Sequence, residues 1–244
     1  MIEAFSRSSM LFGSDAIETL SHKTVAVFGV GGVGGNAAEA LVRSGIGRII
    51  VVDNDTVSAS NLNRQLIALH STIGKLKTQV IADRLTDINP DLQILQYPMF
   101  YLPENADQVD LSGCDYIVDC IDTTSAKIEL ALRASKFHIP LISSMGTGNK
   151  TDPTKLMVSD LSKTTTCPLA RVMRRELRSR NINHLKVVWS TEIPRTPIGN
   201  PIGEKGKPIP ASTSFVPPAA GLLIARTVVT DLIGFEGAEP YAPN

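Results

Sequence analysis

Three kinds of residue in this 244-residue chain could meet phosphate: glycines that admit close backbone approach, fixed cations, and carboxylates able to hold a hard metal ion. Gly29, Gly31 and Gly34 stand in Gly29-Val-Gly31-Gly32-Val-Gly34-Gly35 and satisfy G-x-G-x-x-G. In that pattern the glycines permit a tight turn and bring backbone N–H groups against phosphate at a helix N-terminus. Asp53 closes the next apolar run, Arg48-Ile-Ile-Val-Val-Asp53, the place where a carboxylate reaches a ribose in such sites. The competing meaning of the glycines is a tight strand-to-helix corner with no ligand. Past Asp53, residues 54–65 gather Asp55, Asn61, Asn63, Arg64 and Gln65, more phosphate-seeking and metal-seeking groups than a hydride-transfer site can use. Lys75 and Lys77 then fall in the first turns of a helix expected over 73–88. The helix dipole disfavours cations there, so the pair points to an anionic ligand, with a solvated pair as the alternative. Asp122 and Thr123 come just after another apolar run. Asp119 lies inside that run, either as part of the site or as a carboxylate that caps a neighbouring loop.

These groups must be positioned by the elements around them. Strands expected over 24–28, 48–53, 92–97, 115–121 and 140–145 alternate with helical segments, which predicts a Rossmann-like, doubly wound α/β fold with a mostly parallel sheet. Ligands bind at the carboxyl edge of such sheets, where the glycine loop, Asp53 and Asp122 all fall. Residues 1–13 read as irregular and carry one cation, Arg7, ahead of a short helix over 14–20 with Ser14 as N-cap. Beyond Gly148 the expected elements are a strand over 155–160, a helix over 168–179, a strand over 185–191 and a helix from Pro217 to about 233. The 168–179 helix sets Arg171, Arg174, Arg175 and Arg178 on one face, either solvated or in contact with phosphates. Residues 194–210 lack periodicity and read as a mobile loop, a candidate lid. The length suits a single domain over 1–244, with a nucleotide-binding core over about 20–150 and a C-terminal portion over about 151–244.

Lys plus Arg balance Asp plus Glu at 24 each, so no global charge advertises a nucleic-acid partner and a local patch must serve. Three cysteines, Cys114, Cys120 and Cys167, form no C-x-x-C, which leaves neither a disulfide framework nor a four-cysteine zinc site. With no signal-peptide layout at the N-terminus, the expected location is cytoplasmic. The longest apolar run, 219–233, is short for a membrane span and is interrupted by Arg226 and Asp231.

Taken together, Gly29-x-Gly31-Gly32-x-Gly34, Asp53-x-Asp55, Ser60-Asn61-Leu62-Asn63-Arg64-Gln65, Gly74-Lys75-x-Lys77 and Asp122 resemble the E1-like activating enzymes of the ThiF and MoeB type. That superfamily includes the adenylyltransferases of ubiquitin-like sulfur carriers. Asp152-Pro153-Thr154, the segment 160–165 and Ser214-Phe-Val-Pro-Pro-Ala-Ala-Gly221 are similar to the tRNA threonylcarbamoyladenosine dehydratase branch, which extends the likeness over nearly the whole chain. The resemblance implies a homodimer that adenylates a carboxylate with ATP and Mg²⁺. It implies that Gly29, Gly31, Gly32 and Gly34 form the phosphate loop, that Asp53 holds the ribose, and that Asp55 and Gln65 line the nucleotide pocket. Asn61, Arg64 and Lys77 would contact the triphosphate, Asp122 would organise the metal and the reacting centre, and Arg7 would cross to the partner's ATP. The substrate implied is the carboxylate of N6-threonylcarbamoyladenosine in a tRNA anticodon loop, activated and then closed into a ring by its own ureido group.

The missing C-x-x-C pairs disfavour the sulfur-carrier adenylyltransferases but leave zinc-free relatives open, and a sulfur-transfer protein remains a candidate partner. Cys167 is the only cysteine placed where a thioester could form, and an unactivated cysteine is usually inert. An NAD-dependent oxidoreductase would need the glycine loop but not Asn61, Arg64, Lys77 and Asp122. A silent tRNA or protein adaptor would have no need of the phosphate cations.

Overall fold

The computed structural model describes residues 3–199, 202 and 209–235. Its strands are β1 Thr24–Phe28, β2 Arg48–Val52, β3 Gln93–Tyr97, β4 Tyr116–Asp119, β5 Leu141–Ser144, β6 Leu156–Asp160 and β7 Lys186–Ser190. Its α-helices are α1 Ser6–Phe12, α2 Ser14–Ser21, α3 Gly34–Arg43, α4 Lys77–Ile88, α5 Thr124–Phe137, α6 Pro168–Arg178 and α7 Val216–Ile233. All seven strands join one sheet in the order β3-β2-β1-β4-β5-β7-β6. Every pairing is parallel except that of the edge strand β6 with β7.

The apolar runs become central strands because both faces are covered. In β1, Val25 and Val27 enter the core beneath α3 and α7, whereas Ala26 and Phe28 enter the opposite core with Leu130 of α5. That division follows from the two-residue side-chain period of a strand. A third cluster, built on Met173, Leu177, Val187 and Trp189, seats α6 on the C-terminal end of the sheet.

Helix α7 passes a length and composition test for a membrane span, yet Val216, Ala220, Ile224, Val228 and Val229 are buried in the core beneath α3. Gly221 sets its closeness to α3: a Cβ there would stand 2.9 Å from the Asn36 side chain. Asp231 near its end accepts from the Tyr116 hydroxyl at 2.7 Å and pairs with Lys186 at 2.5 Å.

Ser14 opens α2 behind a Gly13 N-cap instead of capping it, and two boundaries differ from the sequence expectation. Residues 3–12 are ordered as a 3-10 turn and α1 rather than irregular, because Phe5 is buried and Phe12 meets the Phe235 ring edge-on at 5.1 Å. Helix α4 begins at Lys77, so Lys75 precedes it. Gly74 has φ +86° and an isolated bridge joins Thr56 to Leu76, which together hold 74–76 out of the helix.

Candidate nucleotide-binding site

Strand order changes direction between β1 and β4, and both open their carboxyl ends toward one crevice. At the end of β1, Gly29 has φ +82° and donates its N–H to the Val52 carbonyl at 2.8 Å. A Cβ on Gly29 would stand 2.8 Å from the Cys120 carbonyl oxygen, and one on Gly34 would overlap the Gly29 carbonyl oxygen. These two glycines are demanded by the corner itself. Gly31 and Gly32 line the pocket instead, and a Cβ on Gly31 would meet only the Gln65 side chain, at 3.7 Å. Nothing in the protein fold requires Gly31 to lack a side chain, so its bareness fits a phosphate brought against the backbone.

Asp53 ties this loop to the next. One carboxylate oxygen accepts from Val30 N at 2.8 Å, the other from Asp55 N at 2.9 Å. Burial raises its pKa above the ordinary carboxylate value, against the pull of Lys77 and of the two N–H groups. Asp55 in turn accepts from Lys77 Nζ at 2.7 Å; the lysine side chain is 6% exposed and the aspartate 56%. Lys77 therefore sits at the N-terminus of α4 with its charge paired to Asp55 and close enough to Asp53 to act on its carboxylate.

Asn61 and Gln65 are both buried. Asn61 Oδ1 accepts from Ser58 N at 3.1 Å and so closes a 3-10 turn rather than lining the pocket. Gln65 Oε1 is buried without a hydrogen-bond partner among the described residues, an orphan acceptor, while the amide nitrogen of the same side chain is the atom nearest Gly31. Arg64 lines the pocket and is held by the Ser60 carbonyl at 2.9 Å and Asn63 Oδ1 at 2.8 Å.

The pocket, about 450 Å³, joins Gly31, Gly32 and Arg64 to Asp122 and to a C-terminal wall that includes Gly146, Lys150 and Cys167. Asp122 is exposed at its edge, just before α5. No group of three metal-ligating side chains exists among the described residues. A single carboxylate suits Mg²⁺, which keeps waters and takes substrate phosphates as its remaining ligands. Asp119 lies beneath, fully buried, and its carboxylate accepts from Lys127 Nζ at 2.9 Å and from Ile121 N at 3.1 Å. Lys127 also donates to the Ser144 carbonyl at 2.8 Å. This ion pair joins the ends of β4 and β5 under the pocket floor, which resolves Asp119 as a positioning residue.

The C-terminal wall was not legible as a site. Asn149 is strapped to Ala211 by two bonds of 2.7 Å, and Asn63 Nδ2 donates to the Ser212 carbonyl at 3.1 Å, so residues 210–212 close over the crevice. Most of the loop expected over 194–210 as a lid lies within the described residues, but 200, 201 and 203–208 lie outside them. Cys167 is buried at the N-cap of α6, and Cys120 lines the pocket with its thiol pushed far up by burial. Of the arginine face, Arg174 donates to the Thr164 carbonyl at 2.8 Å and Arg175 pairs with Glu176 at 2.9 Å. Arg171 and Arg178 are exposed. Arg7 is exposed on α1 and is not among the pocket's lining residues.

A doubly wound sheet with a glycine corner at its switch point, facing an arginine and a carboxylate across one crevice, defines a nucleotide-binding protein, and residues 5–243 match the ThiF family. The chain belongs to that family. It is 46% identical over 243 residues to the tRNA threonylcarbamoyladenosine dehydratase of Bacillus subtilis, with 96% of each chain covered. Crystal structures of the Escherichia coli tRNA N6-threonylcarbamoyladenosine dehydratase superpose with a TM-score of 0.86 for the AMP complex, at 31% identity over 95% of this chain and 94% of that one. The ATP complex gives 0.87 at 30% identity, over 98% and 97%.

Proposed function

We propose that this protein is an ATP-dependent tRNA threonylcarbamoyladenosine dehydratase. The observation that carries the reading is the convergence of the bare Gly31–Gly32 backbone, Arg64 and Asp122 on one pocket, in a chain 46% identical to a dehydratase over 96% of its length. The substrate carboxylate attacks the α-phosphorus of ATP and displaces pyrophosphate. The neighbouring ureido group then closes on the activated carbonyl carbon, losing a proton and expelling AMP, so one water is lost overall.

Each residue's task follows from the charge that develops. Negative charge grows on the phosphoryl oxygens and on pyrophosphate, and fixed cations in a partly buried site offset it best. Lys77 and Arg64 serve there; when the triphosphate arrives, Lys77 exchanges the half-exposed Asp55 for it. Asp53 keeps the glycine loop in place and offers its remaining lone pairs to the ribose, while Gln65 offers its free oxygen to the nucleotide. Asp122 would hold Mg²⁺, which would supply Lewis-acid charge at the phosphates. Ring closure is intramolecular, so proximity replaces a protein nucleophile. Cys167, buried at a helix cap, forms no obligatory thioester.

The functional unit is a homodimer in which Arg7 reaches the partner's ATP. What supports this is the exposed Arg7, with no partner in its own chain among the described residues, beside Met10 and Leu11, which are 85% and 70% exposed. Exposed Arg171 and Arg178 offer contacts to tRNA phosphates, and the reaction takes place in the cytoplasm. The test is AMP formation from ATP with threonylcarbamoylated tRNA, with a ubiquitin-like carrier as competing substrate. Asp122→Ala and Lys77→Ala should each abolish it without unfolding the protein. AMP formed only with the carrier, or normal turnover by either variant, would overturn the assignment.

A further inference from the structure

The C-terminal wall of the pocket carries a lysine that the nucleotide does not account for. Lys150 is 2% exposed and lines the pocket beside Cys167. Its Nζ donates to the Gly146 carbonyl at 2.6 Å. That is its one hydrogen bond among the described residues, and no carboxylate there pairs with it. The contrast with Lys127 is plain, since that equally buried ammonium is matched by Asp119 and has further oxygens around it. Glu192, the acid that influences Lys150, already accepts from Thr151 N and Asp152 N at 3.1 and 2.9 Å.

An ammonium has three donors, so two remain for something the protein does not supply. Burying a cation without a counter-ion is unfavourable. Burial accordingly lowers the Lys150 pKa, against the pull of Cys167 and Glu192. The reaction needs two anions brought together, a carboxylate and a phosphate. Arg64, Lys77 and the metal at Asp122 serve the phosphates, which leaves the carboxylate in need of a cation of its own.

We infer that Lys150 binds the substrate carboxylate and so separates tRNA bearing the threonylcarbamoyl group from tRNA lacking it. This rests on the dehydratase reading and adds to it a group that selects the substrate. The position suits the task, because Lys150 reaches the pocket from the wall formed by the β5 turn and α6 rather than from the glycine loop.

Lys150→Gln keeps a donor for the Gly146 carbonyl and removes the charge. Equilibrium binding of threonylcarbamoylated and unmodified tRNA is measured in the presence of a non-hydrolysable ATP analogue. The native protein should prefer the modified tRNA by about tenfold or more, the usual worth of a charge-assisted hydrogen bond. Lys150→Gln should reduce that preference to about twofold or less, leave affinity for the ATP analogue unchanged, and Lys150→Arg should restore part of it. If Lys150→Gln does not fold, Lys150→Met takes the same test. A preference that persists in the folded variant overturns the inference, as does equal binding of both tRNAs by the native protein. A parallel loss of ATP-analogue binding assigns Lys150 to the phosphates and also overturns it. Failure of the native protein to form AMP from modified tRNA sinks the dehydratase reading instead.

Discussion

Alanine at Gly31 and at Gly34 should separate ligand binding from folding within one loop. At Gly34 the new Cβ overlaps the Gly29 carbonyl oxygen and lies 3.1 Å from the Cys120 Cβ. Neither neighbour can swing aside, so β1 and α3 must part. Overpacking costs about 1–3 kcal/mol where side chains can adjust; here the obstacle is backbone, which puts Gly34→Ala at the upper end or beyond. At Gly31 the nearest atom is the end of the Gln65 side chain at 3.7 Å, and φ is not positive. Stability should then stay within about 1 kcal/mol of the native protein. The added methyl group fills the space the phosphate needs and removes a close backbone N–H contact. A hydrogen bond to a charged group contributes about 1.5–3 kcal/mol, so ATP affinity should fall roughly tenfold to a hundredfold. Urea unfolding and calorimetric ATP titration on both variants read the two effects. Native ATP affinity in Gly31→Ala would refute close approach at that residue, and native stability in Gly34→Ala would refute the corner geometry.

Three further outcomes follow from the same geometry. Arg7→Ala should fold and dimerise yet lose turnover, and mixing it with Asp122→Ala subunits should restore part of the activity; no recovery despite subunit exchange would deny a role in trans. Cys167→Ser should keep most ring closure, serine being a good N-cap for α6, whereas a thiol-sensitive adduct on the native enzyme would argue for a thioester. Burial pushes the Glu39 pKa up, but hydrogen bonds from Arg84 and Arg43 bring it below the ordinary 4.5. Its stabilisation is therefore present above pH 4.5 and lost as pH falls through the lower folded value. Glu39→Gln should lose stability at neutral pH and show a flatter acid limb in thermal melts, and an unchanged limb would contradict the pairing.

The alternation of β-branched runs with helical segments was enough to place five parallel strands and the switch point, because apolar runs of about four to six residues bounded by glycine and turn residues are too short for buried helices. What periodicity could not supply was which strand neighbours which at the C-terminal end. There, β7 inserts beside β5 and leaves β6 on the edge, a choice made by the cluster under α6. The glycine loop, Arg64 and Asp122 were readable as a site because their types have few other uses at those spacings. Asn61 is assigned to the triphosphate by resemblance; its Oδ1 closes a turn with Ser58 N, a use that the sequence pattern does not reveal. Asp119 was ambiguous because its partner, Lys127, lies on a helix whose register with the strand only packing determines. Lys150 gave no local signal at all. The pocket it lines is completed by Cys167 and residues 210–212, which are distant from it in the chain.

In the proposed reaction a substrate carboxylate attacks the α-phosphorus of ATP. That attack can be read directly by supplying threonylcarbamoylated tRNA labelled with ¹⁸O in that carboxylate and analysing the released AMP by mass spectrometry. Ring closure breaks the bond between the activated carbonyl carbon and its bridging oxygen, so AMP should leave with one labelled oxygen and the nucleoside should lose one water. Unlabelled AMP, or a cyclised nucleoside retaining both labelled oxygens, would contradict the account.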